Sequence, residues 1–135
     1  MARRVIAGEA YGTRSLVRTH SLLFYVHSTL EAGARERLPD AFPERAAYVI
    51  DGEVEADGRR FKAGELLVFA KGEAVVQAST RAALMLLGGE PVGERFIEWN
   101  FVSSSKERIE QAKADWRAGR MKLPDLDDQE FIPLP

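Results

Sequence analysis

Apolar and polar residues alternate along most of the chain, from Val5 to Leu87, with the two-residue period of β-strands. Residues 22–27 show the alternation, and residues 47–50 form an aromatic and β-branched run that suits a buried strand. Asp57-Gly58 predicts the turn of a hairpin. Short segments spaced by roughly 8–12 residues favour an all-β sandwich or barrel over alternating strands and helices. The later segments of this kind are residues 65–70, 74–79 and 81–89.

The pattern changes near residue 104. Ser104 and Glu107 have the spacing of a capping box, and the residues that follow are rich in helix formers. We therefore predict one amphipathic helix over about 104–118, packed on the β core. The tail, 120–135, contains three prolines and is predicted to be extended. The apolar stripe of the helix consists of Ile109, Ala112 and Trp116.

Size and composition indicate one soluble globular domain of 135 residues, with its barrel over about 5–102. The absence of cysteine excludes disulfides and thiolate metal sites and is typical of a cytoplasmic protein. A net charge of −2 gives no basic footprint for nucleic acid. No apolar run approaches the roughly 20 residues of a membrane span, and we expect no signal peptide.

Glycines and the residues between them follow the two spacing motifs of the cupin barrel, but metal ligands are missing. In the first motif, from Gly33 to Gly52, the two histidine slots hold Pro39 and Ala41, and the glutamate slot holds Arg45. The second motif, from 64 to 79, begins with Gly64-x5-Ala-x-Gly72. Its histidine slot holds Val75 and its asparagine slot holds Ser79. The spacing resembles a cupin double-stranded β-helix, a jelly-roll barrel, without the cupin metal site.

Longer stretches resemble the C-terminal cupin domain of pirins. The stretch ERAAYVIDG at 44–52 is similar to a pirin segment, and so is LGGEPVGE at 87–94. The resemblance continues through WNFVSSS at 99–105 and the helix to the final EFIPLP, 130–135. Pirins have two stacked barrels, and their iron site of three histidines and a glutamate lies in the other, N-terminal barrel. The resemblance therefore implies no cofactor, no metal ligand and no carry-over of quercetin dioxygenase activity.

The resemblance also implies an apolar face that a second barrel would cover. We expect a metal-free, non-catalytic binding or assembly module, either a homodimer or paired with a separate pirin N-terminal-like barrel. The alternative is an enzyme of the pirin or quercetin dioxygenase type with a non-standard metal site. The only histidines, His20 and His27, would be its first candidate ligands, although a structural or surface role is favoured for both.

A small-ligand cavity is a third possibility. If Arg45 points into the barrel, the two-residue period places Ala47 and Val49 inside with it. The second motif likewise predicts that Val75, Gln77 and Ser79 point inward. The buried arginine needs a partner, which we expect to be Glu44 or Glu65, with a bound small anion as the alternative.

Overall fold

The structure, a computed structural model, describes residues 1–128 and 130–135. The chain packs as two compact units, residues 1–91 and 92–135. The first unit contains ten strands and the second contains two strands and the helix. The strands of the first unit are β1 (Ala2–Ala10), β2 (Thr13–Arg14), β3 (Leu23–Leu30), β4 (Arg35–Arg37), β5 (Glu44–Asp51), β6 (Glu53–Ala56), β7 (Arg59–Lys62), β8 (Leu66–Phe69), β9 (Val75–Ala78) and β10 (Ala82–Gly89).

These ten strands form two antiparallel sheets. The six-stranded sheet has the order β2-β1-β3-β10-β5-β8, and the four-stranded sheet has the order β4-β9-β6-β7. Both sheets contribute buried side chains to one core, so the first unit is the predicted barrel. The core includes Phe24, Val26, Val49, Leu84 and Leu86 from the larger sheet and Val54, Val76 and Ala78 from the smaller one.

The turns follow the sequence closely. Asp57 and Gly58 join β6 to β7 with φ values of 50° and 72°, as the predicted two-residue hairpin requires. The four glycines of the spacing motifs all have positive φ, between 80° and 122°. Their backbone conformation is one that side chains disfavour, which explains why glycine remains at these turns. Those glycines are Gly33, Gly52, Gly64 and Gly72.

In the second unit, β11 (Phe96–Glu98) and β12 (Phe101–Ser103) form a hairpin beside α1 (Lys106–Arg117). The helix begins one residue later than the capping-box spacing predicted, because Ser105 is the N-cap and its hydroxyl accepts from the Arg108 N–H. Ile109 is its one buried residue. None of the described residues forms a helix with the length and apolar character needed to cross a bilayer.

Aromatic side chains hold the helix, the hairpin and the tail of the second unit together. The Trp116 ring packs 5.5 Å from Trp99 and 5.8 Å from Phe131, measured between centroids. Trp116 also donates from its indole nitrogen to the Ile132 carbonyl at 2.9 Å. The tail therefore has a specific anchor on α1.

Candidate functional site

The glutamate slot of the first motif points into the barrel. Along β5, Arg45, Ala47 and Val49 are buried, while Glu44, Tyr48 and Ile50 are exposed. This alternation places the guanidinium of Arg45 on the inner side of the six-stranded sheet. Its cross-strand neighbours are Gly88 on β10 and Phe69 on β8.

The predicted ion pair of this arginine is wrong. Arg45 Nη2 donates to the backbone carbonyls of Gly72, at 2.7 Å, and Ala70, at 3.3 Å. Among the described residues it has no carboxylate within ion-pair distance, and Glu65 instead accepts from the Lys62 N–H at 2.6 Å. Arg45 Nε and Nη1 are buried without any hydrogen-bond acceptor in the described structure.

The predicted inward positions of β9 are also wrong, by one residue. Val76 and Ala78 are fully buried, whereas Gln77 and Ser79 are exposed and Val75 is half-buried. Val75 and Gln77 line a shallow groove on the outside with Arg35 and Glu55. The inner side of β9 is therefore apolar and carries neither Gln77 nor Ser79. The local sequence held the signal, because the polar residues at 77 and 79 alternate with the apolar residues at 76 and 78.

The two histidine slots lie outside the strands. Pro39 and Ala41 fall in the connection from β4 to β5 and line a cavity of about 750 Å³. Strand β2 and the loop after it bring Arg14, Leu16 and Arg18 to the same cavity. No side chain at these slots can ligate a metal, since both are apolar.

A buried carboxylate that sequence reasoning missed lies on β4. Glu36 is completely buried and accepts from Arg3, at 2.8 Å to Nη2, and from the Ser28 hydroxyl, at 2.7 Å. The hydrogen bond between Arg3 and Glu36 raises the pKa of the Arg3 guanidinium above its ordinary value. Arg3 also stacks 4.0 Å over the Tyr11 ring, and burial raises the pKa of that phenol. Strand β4 reads Arg-Glu-Arg, so nothing in its own sequence indicated a buried position.

Four strands of the six-stranded sheet carry a mostly apolar outer surface, which Arg4 of β1 borders beside His27. Two rows of four side chains each cross β3, β10, β5 and β8 in register. Of these eight residues, only His27 has an ionisable nitrogen, and none is an acid, a lysine or an arginine. Val68 is 76% exposed and Leu66 is 54% exposed. We call this surface the outer face; its rows are Tyr25, Leu87, Ala46 and Val68, and His27, Met85, Tyr48 and Leu66.

The two histidines do not come together in a metal site. His27 lies in the second row of the outer face beside Met85, and His20 is exposed in the loop before β3. Within residues 1–128 and 130–135, no group of three or more histidine and acidic side chains is placed to hold a metal ion.

Comparison with known proteins agrees with this architecture. The family model described as the pirin C-terminal cupin domain matches residues 25–122. A pirin-like protein of Caulobacter vibrioides is 65% identical over 98% of this chain and 46% of its own length. Pirin of Mus musculus is 30% identical over 84% of the chain and 42% of its length. The crystal structure of quercetin 2,3-dioxygenase from Acinetobacter baumannii superposes with a TM-score of 0.83 at 25% identity, covering 98% of this chain and 46% of that one.

A two-sheet antiparallel barrel with these turns and these neighbours is a cupin. The family match narrows the class, and the chain belongs to the pirin family through its C-terminal cupin domain. The chain spans about half the length of the curated relatives it matches.

Proposed function

We propose that this domain is an assembly module that docks a second pirin-type barrel on its outer face. The proposal rests on one observation, the two in-register rows of mostly apolar side chains on the six-stranded sheet, of which Tyr25, Tyr48, Leu66 and Val68 are exposed. A contiguous apolar patch of this kind usually marks an interaction site, because leaving it in water is costly. The rows contain no lysine, arginine, aspartate or glutamate, which suits the centre of a stable interface.

The choice of occupant follows from the length of the relatives. The Caulobacter relative is 65% identical to this chain, yet the match covers only 46% of it. It therefore contains about as much protein again as this domain, and the resemblance to pirins implies that this remainder is a second cupin barrel. A barrel of that size offers a surface large enough to cover both rows of the outer face.

Binding to that second barrel tests the proposal. The remainder of the Caulobacter relative is co-expressed with the full chain, and complex formation is measured by native mass spectrometry and size-exclusion light scattering. We expect a one-to-one complex that Val68→Lys weakens at least about tenfold, because a lysine in the centre of an apolar interface must be desolvated. Leu16→Lys is the matched control, since Leu16 is fully exposed in a loop away from the outer face.

Two outcomes would contradict the proposal. One is an unbound domain in the presence of the second barrel, and the other is equal binding by wild type and Val68→Lys. A self-dimer of twice 15.0 kDa that Val68→Lys dissociates would overturn the choice of occupant, because a second copy would then cover the face.

A second candidate function is quercetin 2,3-dioxygenase activity of the assembled two-barrel protein. The similarity to the quercetin 2,3-dioxygenase of A. baumannii favours it, since that structure superposes on nearly the whole chain. We expect no quercetin turnover by the domain alone and turnover by the complex with the second barrel. Turnover by the domain alone that His27→Ala abolishes would instead place a metal-dependent activity in this chain.

A further inference from the structure

Arg45 has two buried hydrogen-bond donors with nothing to bind. Its side chain belongs to a residue that is only 5% exposed, and Nε and Nη1 have no acceptor among the described residues. The two bonds it makes both leave from Nη2 and both end on carbonyls of the loop after β8. Carbonyls carry partial charge only, so the formal positive charge inside the barrel is not neutralised.

Burying an unpaired charge costs free energy, and the Arg45 guanidinium cannot avoid that cost by becoming neutral, because arginine stays protonated in proteins. A buried charge without a partner costs several kcal/mol, and buried donors are nearly always satisfied. The fold does satisfy its other buried charge, since Glu36 binds both Arg3 and Ser28. Arg45 is therefore an exception that calls for a specific explanation.

We propose that Arg45 is the anchor of a binding site for a small carboxylate inside the barrel. One carboxylate supplies the single negative charge that Arg45 lacks, and its oxygens can accept from Nε and Nη1, which have no acceptor among the described residues. The surroundings favour an ion pair, because the neighbouring inward residues are apolar and weaken screening. Ala47 is fully buried on the same strand, and the Phe24 ring covers Gly88, the cross-strand neighbour of Arg45.

The same surroundings limit the ligand. The inner side of β9 presents Val76 and Ala78, not the polar side chains that a larger hydrophilic ligand would need. The ligand is therefore a monocarboxylate whose remaining part is small and apolar. Arg45 lines a cavity of about 550 Å³ with Phe24, Phe69 and Gly88, and the ligand would reach the guanidinium from this cavity. The four residues of the first row of the outer face line the same cavity.

Thermal unfolding with added acetate or propionate tests the proposal, with sodium chloride at equal ionic strength as the reference. At 100 times its dissociation constant, the carboxylate is expected to raise Tm of the wild type by about 10 °C in a saturable way. Arg45→Met is expected to abolish the rise. Arg35→Met, which removes an exposed arginine of β4, should leave it intact.

The unliganded proteins give a second readout. In chloride alone, Arg45→Met is expected to unfold at a higher temperature than the wild type, because methionine fills similar space without a charge to compensate. If Arg45→Met does not fold, the Nε resonance of Arg45 in the wild type replaces it and should shift on acetate addition. No saturable effect of either carboxylate, an equal effect on Arg45→Met, or stabilisation by inorganic phosphate alone would overturn the proposal.

Discussion

At the scale of single residues, glycine can be required by the backbone conformation, by the lack of space for a Cβ, or by both, and the motif glycines show this difference. Gly33 and Gly52 have nearly the same φ, 81° and 80°. A Cβ at Gly33 would meet no atom within 4 Å, whereas a Cβ at Gly52 would lie 2.2 Å from the Arg81 carbonyl oxygen. The barrel therefore needs glycine at residue 52 for two reasons and at residue 33 for one.

Alanine at these two positions should have unequal effects. We expect Gly33→Ala to lower the free energy of unfolding by about 1 kcal/mol, the cost of a side chain at positive φ. Gly52→Ala should cost at least about twice as much, because the β5–β6 turn must also move away from residue 81. Urea denaturation measures both values. Equal losses would show that the contact with Arg81 relaxes freely.

The residues of the candidate site were only partly predictable. The period of two correctly put Arg45 inside with Ala47 and Val49, because β5 is regular from Arg45 to Val49, before its register shift near Asp51, and the motif spacing reaches it directly. The same reasoning failed on β9, where the motif spacing was followed instead of the alternation of apolar residues that buries Val76 and Ala78. The missing partner of Arg45 had no sequence signal, since several acids lie close to it along the chain and none reaches it in space.

At the scale of elements, the cap of α1 shows how one hydroxyl serves two groups. Ser105 Oγ accepts from the Arg108 N–H and donates to the Glu107 carboxylate at 2.5 Å. This hydrogen bond lowers the pKa of Glu107 below its ordinary value. A carboxyl whose pKa is lower in the folded state stabilises that state above its unfolded pKa, and the contribution is lost as the pH falls through the folded value.

Ser105→Ala should remove both effects. We expect the unfolding free energy of the second unit to fall by about 1 kcal/mol, as for other N-cap serines. In an NMR titration the pKa of Glu107 should rise toward its ordinary value near pH 4. Ser104→Ala is the control, because Ser104 is exposed and the capping hydroxyl is that of Ser105. A larger effect at 104 than at 105 would move the N-cap back to the residue that the sequence indicated.

The helix and most strands were more predictable from the sequence than the short strand β4 with its buried glutamate. The hairpin of β6 and β7 and the helix both follow from turn residues and helix formers. The short strand β4 did not, because its Arg-Glu-Arg sequence matches an exposed segment. Its central residue is buried only because Arg3 and Ser28, from two other strands, supply hydrogen bonds to it.

At the scale of the whole molecule, the outer face should determine how strongly the isolated chain binds probes of exposed apolar surface. We expect the isolated chain to enhance the fluorescence of the dye ANS, which binds exposed apolar surface. Replacing Leu66 and Val68 together by lysine should reduce that signal by about twofold. The same double change should leave the far-UV circular dichroism spectrum intact, because both side chains point away from the core. Unchanged ANS fluorescence would show that the dye binds elsewhere and that the face is not its main apolar surface.

The position of β10 has a consequence for how the protein is made. This strand is the last of the barrel along the chain, yet it lies between β3 and β5 in the middle of the larger sheet. A nascent chain therefore has no complete sheet until residue 89 has left the ribosome, and until then β3 and β5 expose open edges. Pairing over such sequence separations is slow. A chain whose synthesis ends before residue 82 would therefore be prone to aggregate and dependent on chaperones.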